Sequence, residues 1–154
     1  MITFQTIEEK DQQFVSKVYR RTREKELPFA YLPEEQKSGL LLMQLEAQLA
    51  DYERNYIGAK RQIILYNEER VGYIYTWDSK REIRILDISL LPEFQGNGIG
   101  GTILNDILKT GKQQHKKVSL HVALGNPAKR LYERLGFVKI SDNFTHEYME
   151  YKAS

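Results

Sequence analysis

The sequence predicts one α/β or α+β domain built on a mixed sheet. Three observations carry that expectation. Short runs of β-branched and aromatic residues alternate with longer runs whose apolar residues recur at three- and four-residue spacing. The two kinds of run follow one another as β-α-α-β-β-β-α-β-α-β, with room for one further strand at the end. No internal repeat, low-complexity tract or linker divides the 154 residues, and 41% hydrophobic content suits a single domain over 1–154 with one core.

Taken in order, "ITFQTI" reads as a strand and "EEKDQQFVSKVYRRTREKE" as a helix, with Phe14, Val15, Val18 and Tyr19 on one stripe. "LPFAYLP" then interrupts with Pro28 and Pro33. The run Pro33-Glu34-Glu35 suits the first turn of a second helix, where acids complement the dipole. Leu42, Leu45, Leu49, Tyr52 and Tyr56 form its expected apolar stripe. "RQIILYNEERVGYIYTW" predicts two strands joined at "NEER", and "REIRILDISLL" a third strand, apolar enough for the middle of a sheet.

From Gly98 a helix follows with Ile99, Ile103 and Ile107 on one stripe and Gly111 as its C-terminal stop. "KVSLHVAL" is a strand. In "NPAKRLYERLGF", Asn126 reads as the N-cap, Pro127 as the first helical residue and Gly136 as the close. "FVKISDNFTHEYMEY" supplies one or two final strands.

Composition excludes several classes of function. Net charge is +2 and the basic residues are scattered, so neither nucleic acid nor a membrane surface is an expected partner. The cluster Lys109, Lys112, His115, Lys116 and Lys117 reads as a solvated helix end. With no cysteine there is no disulfide, thiolate nucleophile or cysteine metal site, and no metal is expected. "MITFQTIEEKDQQ" lacks the apolar stretch of a signal peptide, which leaves a cytoplasmic protein as the expectation.

"QGNGIGG", residues 95–101, is the segment most suited to an anion, because glycines let backbone N–H groups approach phosphate oxygens at the start of a helix. Gly96, Gly98 and Gly101 satisfy a dinucleotide fingerprint. The context does not: Pro92-Glu93-Phe94-Gln95 separate the glycines from the strand, and no acid lies between Asp106 and Glu133 to bind a ribose. A P-loop reading fails because no lysine follows Gly101.

Together, "LDISLLPEFQGNGIGGTILNDIL" and "LHVALGNPAKRLYERLGF" resemble the GNAT superfamily of acyl-CoA-dependent N-acetyltransferases, the first through Gln95, Gly98 and Gly100, the second through Asn126, Tyr132 and Leu135-Gly136-Phe137. The resemblance implies a mixed, mostly antiparallel central sheet flanked by helices. It implies acetyl-CoA as co-substrate, with the amides of Gln95, Gly96, Asn97, Gly98, Ile99, Gly100 and Gly101 around its pyrophosphate. Ile88, Ser89 and Leu90, at a bulge in the preceding strand, would face the pantetheine arm, with the Leu90 N–H as oxyanion donor. Asn126 would also meet the arm.

Tyr132 would protonate the departing thiolate as general acid, although its place on an apolar stripe also suits the core. His121, on the face of its strand that carries Ser119 and Ala123, is the candidate general base. Asp87 is the other ionisable group nearby. Arg84 fills a position that some relatives use for a base. The acceptor would be a small-molecule or peptide amine, met by Tyr31, Gln44, Gln48 and His146, although Gln44 and Gln48 also read as a solvated helix face. A homodimer through the terminal strands fits the resemblance. The alternative activity is a non-catalytic acyl-CoA-binding domain.

Overall fold

The computed structural model describes residues 1–26 and 29–152. Its strands are β1 (Ile2–Thr6), β2 (Lys60–Tyr66), β3 (Glu69–Asp78), β4 (Glu82–Leu90), β5 (Lys117–Ala123), β6 (Val138–Asp142) and β7 (His146–Tyr151), and its helices α1 (Gln12–Arg23), α2 (Glu34–Asn55), α3 (Ile99–Gln113) and α4 (Ala128–Leu135). The strands form one sheet in the order β1-β2-β3-β4-β5-β7-β6. Pairing is antiparallel in β1–β2, β5–β7 and β6–β7 and parallel in β4–β5. Packing divides the chain into two compact units, residues 1–75 with 87–97 and residues 76–86 with 98–154, and β3 and β4 supply residues to both.

In the first unit, α1 buries Val15, Val18 and Tyr19, while β2 and β3 bury Ile63, Ile64, Val71, Tyr73, Ile74 and Tyr75. The "NEER" hairpin turns through Asn67 and Glu68 at φ +49° and +70°, the left-handed pair a two-residue turn requires. Of the break at "LPFAYLP", Leu27 and Pro28 lie outside the described residues, and Phe29–Tyr31 form a 3-10 turn. Helix α2 then starts directly after Pro33, with Glu34 and Glu35 in its first turn.

The stripe of α2 is formed at Leu45, Leu49, Tyr52 and Tyr56, which are buried or half-buried, and departs from the sequence expectation at Leu42. Leu41 and Leu45 are buried together with Lys37, whereas Leu42 is 48% exposed. Lysine supplies the missing apolar position by laying its stem along the helix and delivering its ammonium to Glu34 at 3.3 Å.

In the second unit, β4 and β5 run in parallel register from Glu82↔Lys117 to Ile85↔Leu120. Helix α3 buries Ile99, Ile103, Leu104 and Leu108, with Ile107 half-buried beside them. Gly111 does not stop this helix. It is buried inside the last turns, where a Cβ would lie 2.9 Å from Val118 Cγ2 and 3.0 Å from the Lys116 carbonyl. The stop is His115 at φ +57°: Lys116 N–H bonds Gly111 O at 2.8 Å and His115 N–H bonds Lys112 O at 3.3 Å, the paired bonds of a Schellman close. Of the basic cluster, Lys116 reaches Asp78 at 2.6 Å and Lys117 reaches Glu150 at 2.8 Å.

The final segment makes two strands, β6 being an edge strand with every residue exposed. Among the described residues no helix is long and apolar enough to cross a membrane. Because Gly111 touches both a branched side chain and a backbone carbonyl, Gly111→Ala is expected to destabilise the fold by about 1–3 kcal/mol through overpacking. Urea denaturation of the two proteins measures the difference.

Candidate functional site

The segment joining β4 to α3 is held before it reaches its glycines. Leu91 N–H bonds Val71 O at 2.9 Å, and Pro92–Phe94 make a 3-10 turn closed by Gln95 N–H on Pro92 O at 3.2 Å. The Gln95 amide Nε2 turns back to donate to Leu90 O at 2.9 Å, and both Glu93 carboxylate oxygens take Arg21 Nη1 at 2.9 Å. Gly96 and Gly98 then take φ +79° and +80°, with open space where a Cβ would stand. Any other L-residue would be strained at either place.

Gly98 is the N-cap of α3, and the buried Ile99 side chain anchors the helix start. Thr102 N–H donates the first intrahelical bond, to Gly98 O at 3.0 Å, and its hydroxyl donates to the same carbonyl at 2.9 Å. The amides of Ile99, Gly100 and Gly101 precede that bond and belong to the helix end that carries positive potential. Chemically, a helix start of this kind suits phosphate oxygens.

The second half of β4 lies past the residues registered with β5. Ile88 and Leu90 are half-buried and Ser89 is buried. A Cβ at Gly72 in β3 would fall on the Ser89 carbonyl oxygen, so only glycine admits this approach of the two strands. Asp87 accepts from Arg23 Nη2 at 3.0 Å, from Tyr73 OH at 2.8 Å and from Ser89 Oγ at 3.1 Å. The Arg23 guanidinium also lies 3.9 Å over the Tyr19 ring.

Burial lowers the guanidinium's hold on its proton, but the charge of Asp87 together with Tyr73, Tyr19 and Glu26 outweighs it, so Arg23 stays a cation. Burial, then the charge of Asp87, drives the Tyr73 phenol well above its ordinary value, which keeps it a donor. Burial likewise pushes Tyr19 up to about 12, against the pull of Arg23.

In the second unit, Asn126 Oδ1 accepts Ala128 N–H at 2.9 Å and Pro127 is already helical at φ −62°, ψ −18°. The cap read from the sequence is therefore formed. Gly136 closes α4 at φ +108°. Tyr132 is buried, its ring centroid 5.9 Å from that of Phe137 in an edge-on contact.

His121 is on the outer face of β5 opposite Tyr148 of β7, ring centroids 5.0 Å apart. The same face carries Ser119, which donates to Glu82 Oε2 at 2.7 Å and accepts from Arg84 Nε at 3.1 Å, and Glu150, which binds Lys117 and Tyr148. Those two hydrogen bonds, Lys117 first, hold the Glu150 carboxyl down to about 2. Burial first, then the charges of Arg84 and His146, push the His121 imidazole below its usual value against an opposing pull from Glu82. A neutral imidazole has a lone pair with which to take a proton.

A family model described as an acetyltransferase (GNAT) domain matches residues 32–151, which contain the glycine loop, β5 and α4. The chain belongs to this family. Its fold is similar to that of PaiA N-acetyltransferase from Thermoplasma acidophilum in complex with coenzyme A, at TM-score 0.72 and 19% identity over 99% of each chain. It is also similar to spermidine N-acetyltransferase from Vibrio cholerae in complex with CoA and spermine, at TM-score 0.63 and 22% identity over 98% of this chain and 95% of the other. The ribosomal-protein-S18-alanine N-acetyltransferase from Escherichia coli matches at TM-score 0.67 and 17% identity over 100% and 95%. No curated protein sequence matches the chain.

The acceptor candidates of this GNAT chain differ in their surroundings. Tyr31 is 86% exposed, Gln44 is exposed, and exposed His146 bonds its neighbour Thr145 through Nδ1 at 2.8 Å. Gln48 is half-buried, and its enclosed Oε1 has no hydrogen-bond partner among the described residues, so it is not on a solvated face. A cavity of about 410 Å³ between α1 and α2 is lined by Gln12, Ser16, Tyr19, Leu41 and Leu45, and none of the expected acceptor residues lines it.

Two features at β4 were not among the residues singled out in the sequence. Gly72 had a signal, a glycine inside the strand run "RVGYIYT". The Arg23–Asp87 pair had none, because residues 64 apart in sequence meet only in the folded chain. Since Arg84 is one of the charges that depress His121, Arg84→Gln is expected to raise the imidazole midpoint. An NMR titration of the His121 ring protons in both proteins measures the shift, and a midpoint that stays put or falls contradicts it.

Proposed function

We propose that the chain is a single-domain, cytoplasmic N-acetyltransferase that moves an acetyl group from acetyl-CoA to a primary amine by direct attack. The observation that carries this reading is the turn at Gly96 and Gly98, left-handed with open space where each Cβ would stand, at the N-terminus of α3. These amides, with those of Gln95 and Asn97, suit the two phosphates of a coenzyme A pyrophosphate. The coenzyme supplies an activated thioester, and the chain's own groups do the rest.

Ile88, Ser89 and Leu90 offer backbone groups to the pantetheine arm, and the Leu90 N–H stabilises the charge that develops on the thioester oxygen. Tyr132, whose phenol is enclosed beside Phe137, gives its proton to the departing thiolate. His121 takes the proton of the attacking amine, directly or through one water. Asn126 orients the arm with whatever hydrogen-bonding capacity its cap leaves free. No cysteine is present to carry an acyl group, which favours direct attack over a relay on the protein.

Both similar enzymes whose acceptors are named, spermidine and a ribosomal-protein alanine, act on amines, and this supports an amine acceptor here. Tyr31, Gln44 and Gln48 are the residues of α2 and the preceding turn proposed to meet it. A free-thiol assay with acetyl-CoA across an amine library tests the reading. Wild type is expected to release CoA with at least one amine, and Tyr132→Phe to lower kcat by about 100-fold, in the range of general-acid catalysis. CoA binding without thiol release for any amine would instead favour a non-catalytic acyl-CoA-binding domain.

A further inference from the structure

The Asp87 cluster has no role in the proton transfers above, yet it lies two residues from Ser89 and three from Leu90. Its side chains are mostly buried, 9% exposed at Asp87 and 19% at Arg23. A buried ion pair of this kind adds little net stability over an apolar pair of equal size, because both charges lose their hydration. It does impose direction. The carboxylate receives a guanidinium, a phenol and a hydroxyl, and these fix both oxygens.

One of the three donors belongs to the strand itself. Ser89 Oγ binds Asp87 Oδ1, and the Ser89 carbonyl lies against Gly72. Immediately downstream, Leu90 O is taken by Gln95 Nε2 and Leu91 N–H by Val71 O. The peptide that carries the Leu90 N–H is thus restrained at the side chain and carbonyl of Ser89, at the Leu90 carbonyl and at the Leu91 amide.

We propose that Asp87, held by Arg23 and Tyr73, is a positioning residue that aims the Leu90 N–H through Ser89. This rests on the reading of that N–H as the oxyanion donor. The last turn of α1 thereby sets the geometry of acyl transfer without touching the coenzyme. A displaced oxyanion donor lowers the rate of the chemical step while leaving the binding of the coenzyme's remote parts intact.

Ser89→Ala deletes the hydroxyl bond to Asp87, and Tyr73→Phe deletes the bond to Asp87 and the longer one accepted from Arg23; both keep the ion pair and are expected to fold, whereas Asp87→Asn removes the charge. The full-length variants are compared by kcat, by KM for acetyl-CoA and by amide hydrogen exchange at Leu90 and Leu91. Ser89→Ala and Tyr73→Phe are expected to lower kcat about 10-fold, with KM for acetyl-CoA changed by less than about 2-fold, as misplacement of a reacting group does. Exchange at Leu90 and Leu91 is expected to rise in all three. Unchanged kcat in both Ser89→Ala and Tyr73→Phe, or unchanged exchange, overturns the proposal. If wild type turns over no amine, it is the proposed acetyl transfer that fails, and exchange at Leu90 and Leu91 still decides whether Asp87 fixes this peptide.

Discussion

A helix can present its first amides to an anion only if the chain leading into it turns away without covering them. Here that constraint is met by two left-handed glycines, Gly96 and Gly98, with clear space on the side a Cβ would occupy. The rest of the candidate site is arranged around that turn. Ile99 buries itself to hold the helix start, and Gln95 ties the loop back to the end of β4. The conformational freedom glycine brings would otherwise be a cost, and the ties on either side limit it.

The first half of β4 is an ordinary sheet strand, in parallel register with β5 up to Ile85. Its second half has further restraints: a carboxylate at Asp87, the close approach of Gly72 and a side-chain amide from Gln95. These contacts restrain the peptide without using the Leu90 N–H as the donor of any of them. Helix α1 takes part through the arginines of its last turn, Arg21 on Glu93 and Arg23 on Asp87, where cations also suit the helix dipole. The face of β5 that carries His121 solves a different problem, with carboxylates, cations and a phenol paired among themselves, which leaves the imidazole under positive influence from Arg84.

The parts of this arrangement legible in the sequence are those that depend on neighbours along the chain. The Asn126 cap, the Pro33 helix start, the "NEER" hairpin and the glycine loop are local patterns, and each is formed where its residues indicated. Gly111 shows the limit of local reading: a glycine near a helix end resembles a stop, but this one is required by the approach of β5, and the left-handed residue that closes α3 is His115. Leu42 shows another, since at the start of α2 the buried positions are Leu41 and the apolar stem of Lys37 instead. Asp87 was legible as an ionisable group beside Ser89. Its partners were not, because Arg23 and Tyr73 come from elements that periodicity cannot bring together.

We propose that the backbone from Gln95 to Gly101 holds the pyrophosphate of coenzyme A. Amide chemical shifts of the ¹⁵N-labelled protein titrated with CoA test it most directly. The expected result is a set of saturable shifts largest at Gly96, Gly98, Gly100 and Gly101, with smaller ones along Ile88–Leu90. Saturable binding with those glycine amides unmoved, or no binding of CoA at all, would contradict the account.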